Sequence, residues 1–385
     1  MRICLVYDCL FPHTVGGAER WYRNLGERLA ADGHEVTYLT LRQWEHGERA
    51  EVPGVRVVTA GPRMALYTES GRRRILPPLV FGAGVLWHLL RRGGRYDVVH
   101  TASFPYFSLL AAALARPLRR FQLVVDWHEL WSREYWREYL GRVGGALGNA
   151  VQSLCLRVPQ SAFCFSRLYG ERLRAAHLNG RLTVLEGEYA GSLEPAQPQP
   201  AEPVVVFAGR HIPEKRVPAL LPALALARER IPGLRAEILG DGPERGEVLR
   251  VRDRLGLADV VDVPGRVDAG RVEQALGRAL CMVLPSKREG YGMVVVEASA
   301  LGTPSVVVAA PDNAATDLVS DGENGYVAPS ASPEDLAEAI ERVHAGGDPL
   351  RRRTADWFLA NATRLSLESS LATVLESYRA PSARR

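Results

Sequence analysis

Long apolar runs are missing from this 385-residue chain. The longest covers residues 75–90, is only sixteen residues long, and is broken by Pro77-Pro78 and two glycines. A bilayer span needs about 20 largely uninterrupted apolar residues, so no transmembrane helix is expected. The first residues read as a short strand rather than a secretory leader, which points to the cytoplasm. Cysteine is sparse: Cys4, Cys9, Cys155, Cys164 and Cys281 are scattered, odd in number and without metal-ligand spacing. A disulfide scaffold and a cysteine metal site are both excluded, and reduced thiols are expected. Lysine is almost absent, with Lys215 and Lys287 the only two among 48 basic residues. No Walker lysine follows a glycine loop, the full dinucleotide fingerprint is missing, and no Asp-x-Asp is placed to hold a metal.

What is present is ordinary soluble-protein material. Apolar residues make up 46% and charged residues 24%, which rules out global disorder. The length exceeds what one core usually supports, so two domains are expected. Charge divides unevenly. Residues 1–190 hold 25 basic against 17 acidic residues, the remainder 23 against 27. The basic first half is either an ordinary arginine-rich surface or a face for an anionic partner, membrane included. The apolar segment 76–90, flanked by Arg72-Arg73-Arg74 and Arg91-Arg92, carries the same two readings: core helix or surface-lying helix. Nothing suggests nucleic acid as a partner.

Strand-like and helix-like segments alternate twice. In the first half, strands over 3–7, 35–41, 55–58, 98–101, 123–126, 162–165 and 182–185 are interleaved with helical patterns. Strand 3–7 runs through a Gly16-Gly17 loop into a helix from about residue 18, a phosphate-type turn and otherwise a plain tight turn. Strand 123–126 ends on Trp127-His128-Glu129, followed by an aromatic loop holding Trp131, Tyr135, Trp136 and Tyr139. Ligands gather at the carboxyl ends of strands in open α/β sheets, which makes His128 a candidate site residue as well as a candidate structural histidine. Four prolines between 194 and 203 mark a semi-rigid hinge over 191–203. The alternation restarts at 204, so the fold class is α/β: two doubly wound parallel sheets, with the cleft between them the default site.

The second half carries the densest signal. The apolar strand 281–284 stops at Pro285 and leads through Ser286-Lys287-Arg288-Glu289-Gly290-Tyr291-Gly292-Met293 into a helix that holds Glu297. A strand, a glycine turn and a helix start aim free N–H groups and a positive dipole end at an anion. Two carboxylates, Glu289 and Glu297, flank that anion site. Acids beside a phosphate suit the hydroxyls of an attached sugar, since a carboxylate pairs well with vicinal hydroxyls.

Gly209-Arg210 with Lys215, Leu239-Gly240-Asp241-Gly242-Pro243, the 285–297 stretch, Leu301-Gly302-Thr303-Pro304 and Asp321-Gly322-Glu323-Asn324-Gly325 occur in this order. Together they resemble the retaining glycosyltransferases of family 4, with the GT-B fold. The resemblance covers nearly the whole chain and is strongest over 204–345. It implies an acceptor-binding domain over 1–190, a donor-binding domain over 204–361, and a last helix within 362–385 that returns to the first domain. It implies transfer of a hexose-type sugar from a UDP-, GDP- or ADP-linked donor to a hydroxyl acceptor, with retention and no metal cofactor. Arg210 and Lys215 match the pair that grips the donor diphosphate, Glu297 the ribose-binding position, and Glu289 the position beside the sugar hydroxyls. Gly16 and Gly17 match the first-domain loop at the donor phosphate, and His128 the strand-end histidine near the reacting carbon. Gly290, Tyr291, Gly292 and Met293 line the phosphate turn, and Arg266 sits in a candidate base loop. A 2-epimerase of the same fold and a non-catalytic sugar-nucleotide-binding protein are the rival readings.

Overall fold

The structure, a computed structural model, describes residues 1–45, 47–68, 73–194 and 199–379. Arg72 of the basic triplet, residues 195–198 of the hinge and residues 380–385 lie outside the described residues. The chain divides into two compact units. One holds residues 1–68, 72–185 and 370–385, the other mainly 186–369.

The first unit is built on seven parallel strands: β1 (Arg2–Val6), β2 (Glu35–Thr40), β3 (Val55–Thr59), β4 (Val98–Ala102), β5 (Gln122–Trp127), β6 (Gln160–Cys164) and β7 (Gly180–Val184). Their order is β3-β2-β1-β4-β5-β6-β7. The central strands are buried along nearly their whole length, and their sequences are correspondingly continuous apolar runs rather than alternating ones. The connecting helices are α1 (Gly17–Ala31), α2 (Leu76–Arg92), α3 (Phe107–Arg119), α4 (Arg133–Arg157) and α5 (Arg167–Ala175). Strand order reverses between β1 and β4, the place where doubly wound sheets open a ligand crevice at the strand carboxyl ends.

The second unit repeats the plan with β8 (Val204–Ala208), β9 (Arg235–Leu239), β10 (Val261–Gly265), β11 (Cys281–Leu284), β13 (Ser305–Val308) and β15 (Gly325–Ala328), ordered β10-β9-β8-β11-β13-β15. A separate two-residue pair joins β12 (Arg288–Glu289) to β14 (Asp312–Asn313). Its helices are α6 (Val217–Arg230), α7 (Arg245–Arg254), α8 (Ala269–Arg278), α9 (Met293–Ala300) and α10 (Pro333–Leu365). Here the reversal lies between β8 and β11. The last helix, α11 (Leu367–Arg379), begins in the second unit and ends in the first. No helix among the described residues is long and apolar enough to cross a membrane.

One local expectation is corrected. The aromatic stretch after His128 is helical from Arg133, because the Ser132 hydroxyl accepts from Tyr135 N at 3.1 Å and caps α4. Tyr135 and Trp136 on it are buried. Gln152, which lies beyond the break of α4 at Gly141, accepts from Tyr106 Oη at 2.8 Å, Trp131 N at 3.1 Å and Trp136 Nε1 at 3.3 Å. Helix α10 carries its one break at Gly347 and runs on to Leu365, and Ser366 then caps α11 by accepting from Ser369 N at 3.1 Å.

Candidate active site

In the second unit, the loops after β8 and β11 form one hydrogen-bonded cluster at the reversal point. The loop carrying Arg210 is stitched to the loop after β9: Gly209 N donates to Leu239 O at 3.0 Å, His211 N to Asp241 O at 2.9 Å, and Glu244 N to His211 O at 2.9 Å. This is what the Leu239–Pro243 motif does physically. Arg210 itself is exposed, and its side chain makes no ion pair among the described residues. Lys215 closes the short helical turn Pro213–Lys215, and Lys287 N donates to the Glu214 carbonyl at 2.9 Å, which ties that turn to the loop after β11.

The tie brings Lys215 Nζ onto Glu289 Oε1. Glu289 is buried on β12 and also accepts from Ser286 Oγ at 2.7 Å. It is therefore not in an open turn, as the sequence pattern suggested, but held on a short strand. Asn313, fully buried on β14, anchors that strand's partner: its amide donates to Val308 O at 2.8 Å and Ser286 O at 3.2 Å, while its oxygen accepts from Ala315 N at 3.1 Å. Arg288 and Asp312 pair across β12 and β14 at 2.6 Å. Ser286, Asn313 and the Arg288–Asp312 pair were not foreseen as site-building residues. No local pattern links Asn313 to Ser286, which lies 27 residues before it.

The turn ends at Gly292, whose φ of 105° and whose approach to Ala315 both need glycine: a Cβ there would lie 2.7 Å from Ala315 Cβ. Met293 opens α9, so the amides of its first turn lack the usual partners four residues back, and Val295 N donates instead to the Gly292 carbonyl at 2.9 Å. Tyr291 contributes to this turn through its backbone, since its ring is buried and its hydroxyl donates to Glu186 O at 2.6 Å. Glu297 is half-buried on the next turn of α9. Its charge, acting after burial, helps raise the phenol pKa of Tyr189. Arg266 is exposed just beyond Gly265, at the end of β10 and two strands away from the reversal point. Arg210, Lys215, Glu289, Gly290, Gly292, Met293 and Glu297 thus belong to loops and a helix leaving two neighbouring strands, with Arg266 further along the same edge. The cluster offers two cations, a helix amino terminus and two carboxylates. That set suits a diphosphate carrying hydroxylated groups at both ends.

The first unit has its own cluster. Gly16 is the extended cap of α1, and Gly17 its first residue. Asp8, fully buried at the end of β1, pairs with Arg73, whose guanidinium also lies 5.2 Å from the Phe104 ring. His128 follows the end of β5, half-buried and stacked on Phe165 with ring centroids 4.6 Å apart. Its Nε2 is buried with no hydrogen-bond partner among the described residues. Burial holds its imidazole below the usual histidine pKa, against the upward pull of Asp126. A neutral ring with one uncommitted nitrogen can donate to or accept from a substrate hydroxyl. Beneath it, Asp126 accepts from Trp21 Nε1 and from His100 Nε2, both at 2.8 Å, and His100 Nδ1 meets Tyr378 Oη of α11 at 2.5 Å. Burial acts to raise the Asp126 pKa, but His100, His128 and Trp21 outweigh it and leave it low.

The chain matches two family descriptions, glycosyl transferases group 1 over residues 193–356 and glycosyl transferase 4-like domain over residues 16–186. A D-inositol 3-phosphate glycosyltransferase of Catenulispora acidiphila is 30% identical over 353 residues, covering 85% of this chain and 81% of that protein. A glycogen synthase of Mycobacterium tuberculosis is 28% identical over 366 residues, covering 90% and 86%. Among solved structures, a sucrose-phosphate synthase of Thermosynechococcus elongatus superposes with a TM-score of 0.78 at 20% identity over 98% of both chains. Anabaena HepE, solved with UDP-glucose, gives 0.74 at 20% identity over 98% of this chain and 99% of that one.

Proposed function

The chain belongs to the group 1 glycosyl transferases and is a glycosyltransferase of the GT-B type, and we propose that it moves a hexose from a nucleoside diphosphate to a hydroxyl acceptor, with retention and without a metal ion. The observation that carries this reading is the meeting of Lys215, Glu289 and the amino terminus of α9 where β8 and β11 part. Positive charge on Lys215 beside the Glu289 carboxylate supports a diphosphate site with sugar hydroxyls next to it.

Charge builds on the diphosphate as the bond from the anomeric carbon to its oxygen breaks. Arg210, Lys215 and the α9 amides oppose that charge most strongly when it is greatest, which lowers the barrier rather than only tightening binding. Two cations and a helix dipole perform the task a divalent ion performs elsewhere. Glu289 accepts from sugar hydroxyls and Glu297 from the ribose, while Gly290, Tyr291, Gly292 and Met293 supply backbone amides to phosphate. Arg266 flanks the base. In the first unit, the Gly16–Gly17 loop and His128 serve the reacting sugar and the acceptor. The acceptor oxygen attacks the same face that the diphosphate leaves, and the leaving phosphate oxygen takes the acceptor proton. Configuration is thereby kept without a covalent enzyme intermediate.

The named relatives act on unlike acceptors, an inositol phosphate in one case and glycogen in the other, so the family leaves the acceptor open. HepE was solved with UDP-glucose, which makes UDP-sugars the first donors to try. The positive balance of residues 1–190 supports contact of the first unit with an anionic surface. Thermal-shift screening against UDP, GDP, ADP and their sugars identifies the donor. Proton NMR of the product then reads the anomeric configuration, and EDTA should leave the rate intact. An inverted product or a metal-rescued loss would refute the mechanism. A new nucleotide sugar formed without acceptor would mark an epimerase instead.

A further inference from the structure

A recess of about 420 Å³ lies within the first unit, between the edge strand β3 and helix α2, lined chiefly by Arg56, Val58, Trp87, His88, Arg91 and Arg92. Its wall depends on Gly84, because a Cβ there would stand 1.6 Å from the carbonyl oxygen of Ala60. Only glycine lets α2 close so tightly over the end of β3. Three guanidinium groups and an imidazole converge on this space, and no carboxylate lines it. None occurs anywhere in the sequence from 70 to 96. Arg56, Arg91 and Arg92 make no ion pair among the described residues. Arg91 is stacked on Trp87, its guanidinium carbon 3.8 Å from the ring centroid, which fixes its direction at little entropic cost. His88 Nε2 is engaged with Tyr96 Oη at 2.8 Å. Its imidazole pKa is lowered by burial first and then by the charges of Arg92 and Arg56, so the guanidinium groups of opposite walls act on one spot.

Two arginines ending a helix are commonly explained by the helix dipole. That account covers Arg91 and Arg92 but not Arg56, which arrives from β3, nor the absence of any acid to neutralise the three. Converging like charges raise the energy of the empty recess, and an anion lowers it. Guanidinium groups favour a planar or tetrahedral oxyanion that accepts two parallel N–H bonds.

We propose that this recess is a second anion site of the protein, separate from the nucleotide-sugar cluster, and that it takes the phosphate group of a phosphomonoester or phosphodiester. The phosphate is borne either by a soluble metabolite or by a lipid headgroup. Trp87 at 59% exposure and Leu79 at 42% lie on the same helix and give a lipid-borne phosphate an apolar surface to rest on.

The test uses the full chain and the variant Arg56→Gln/Arg92→Gln, with Arg142→Gln/Arg157→Gln as a control that removes equal charge from α4. Affinities for inorganic phosphate and glycerol 3-phosphate are read from the concentration dependence of the thermal unfolding shift. Association with vesicles of phosphatidylcholine, with and without phosphatidylglycerol, is read by flotation. The site variant is expected to lose at least tenfold in affinity for one class of probe while the control keeps it. Loss on the soluble probes assigns a metabolite; loss on phosphatidylglycerol vesicles alone assigns a lipid headgroup. No binding of any probe to the unaltered protein, or equal losses in both variants, would overturn the proposal. These exposed arginines can be exchanged without unfolding the unit, and an unchanged melting temperature without ligand verifies that.

Discussion

Asp126 is the buried charge on which the first unit depends. Its carboxylate is fully buried and accepts from Trp21 Nε1 and His100 Nε2. A carboxylate only accepts, so His100 carries a proton on Nε2, while its Nδ1 meets the Tyr378 hydroxyl. Asp126→Ala strands two buried donors, at about 1–3 kcal/mol each, and leaves a small void. A total loss of about 3–5 kcal/mol is therefore expected. Asp126→Asn is milder. Its oxygen still serves Trp21, and its amide can donate to Nε2 if His100 shifts its proton to Nδ1. The cost then falls on the Tyr378 contact alone, about 1–2 kcal/mol. Six of the seven tryptophans lie in the first unit, with only Trp357 in the second. Tryptophan fluorescence in urea therefore follows the relevant transition. The pH dependence has a fixed sign. The folded Asp126 pKa is depressed, so its contribution is fully present above the ordinary carboxylate range near 4 and fades as pH falls through the lower folded value. Asp126→Asn should show a shallower acid limb than the parent. An Asp126→Ala loss under about 1 kcal/mol, or an amide variant as damaged as the alanine one, would refute the reasoning.

Glu289→Ala should lower kcat by about a hundredfold or more with nucleotide affinity retained, read by steady-state kinetics beside calorimetric titration of the nucleoside diphosphate. Gly292→Val should cost about 1–3 kcal/mol through the strained φ alone, with a further penalty against Ala315, and should abolish diphosphate binding. Thermal unfolding with and without nucleotide measures both. His128 has a lowered pKa and is neutral through neutral pH, so the acid limb of kcat should lie below the ordinary histidine value of about 6.5. Replacing His128 by Gln should remove that limb, and a limb that persists unchanged would assign it to another group.

The alternation of apolar strands and helices was legible because parallel strands buried on both faces leave unbroken apolar runs, as in 281–284 and 305–308. The phosphate turn at Gly292 was legible because few residues tolerate its backbone. Helix α4 was misread because aromatic residues carry weak helix propensity. What stabilises them is Gln152, sixteen residues beyond Trp136, which no local window contains. The β12–β14 pair escaped for the same reason: two residues make no periodicity, and Asn313 acts on Ser286 from 27 positions away. Sequence pattern records where chain geometry is constrained locally, and it is silent on hydrogen bonds that close over long loops.

The same limit hid the relation between the two cations. The motif presents Arg210 and Lys215 as equivalent grips on one diphosphate. The structure makes them unlike: Arg210 is exposed and makes no ion pair among the described residues, whereas Lys215 is largely buried and bonded to Glu289. In the proposed reaction an exposed guanidinium can meet an arriving anion with little rearrangement and then oppose the charge that develops on it. Lys215 must instead divide its three N–H groups between the carboxylate and a phosphate. In the proposed reaction, charge developing on the leaving oxygen would draw more of that ammonium to the phosphate, leaving Glu289 freer to accept from the sugar hydroxyls. The pair thus links the two ends of the reacting bond through one proton-bearing group, and Glu289 gains influence as the bond breaks. That coupling gives a carboxylate beside the phosphate cations a role other than that of an acid or base.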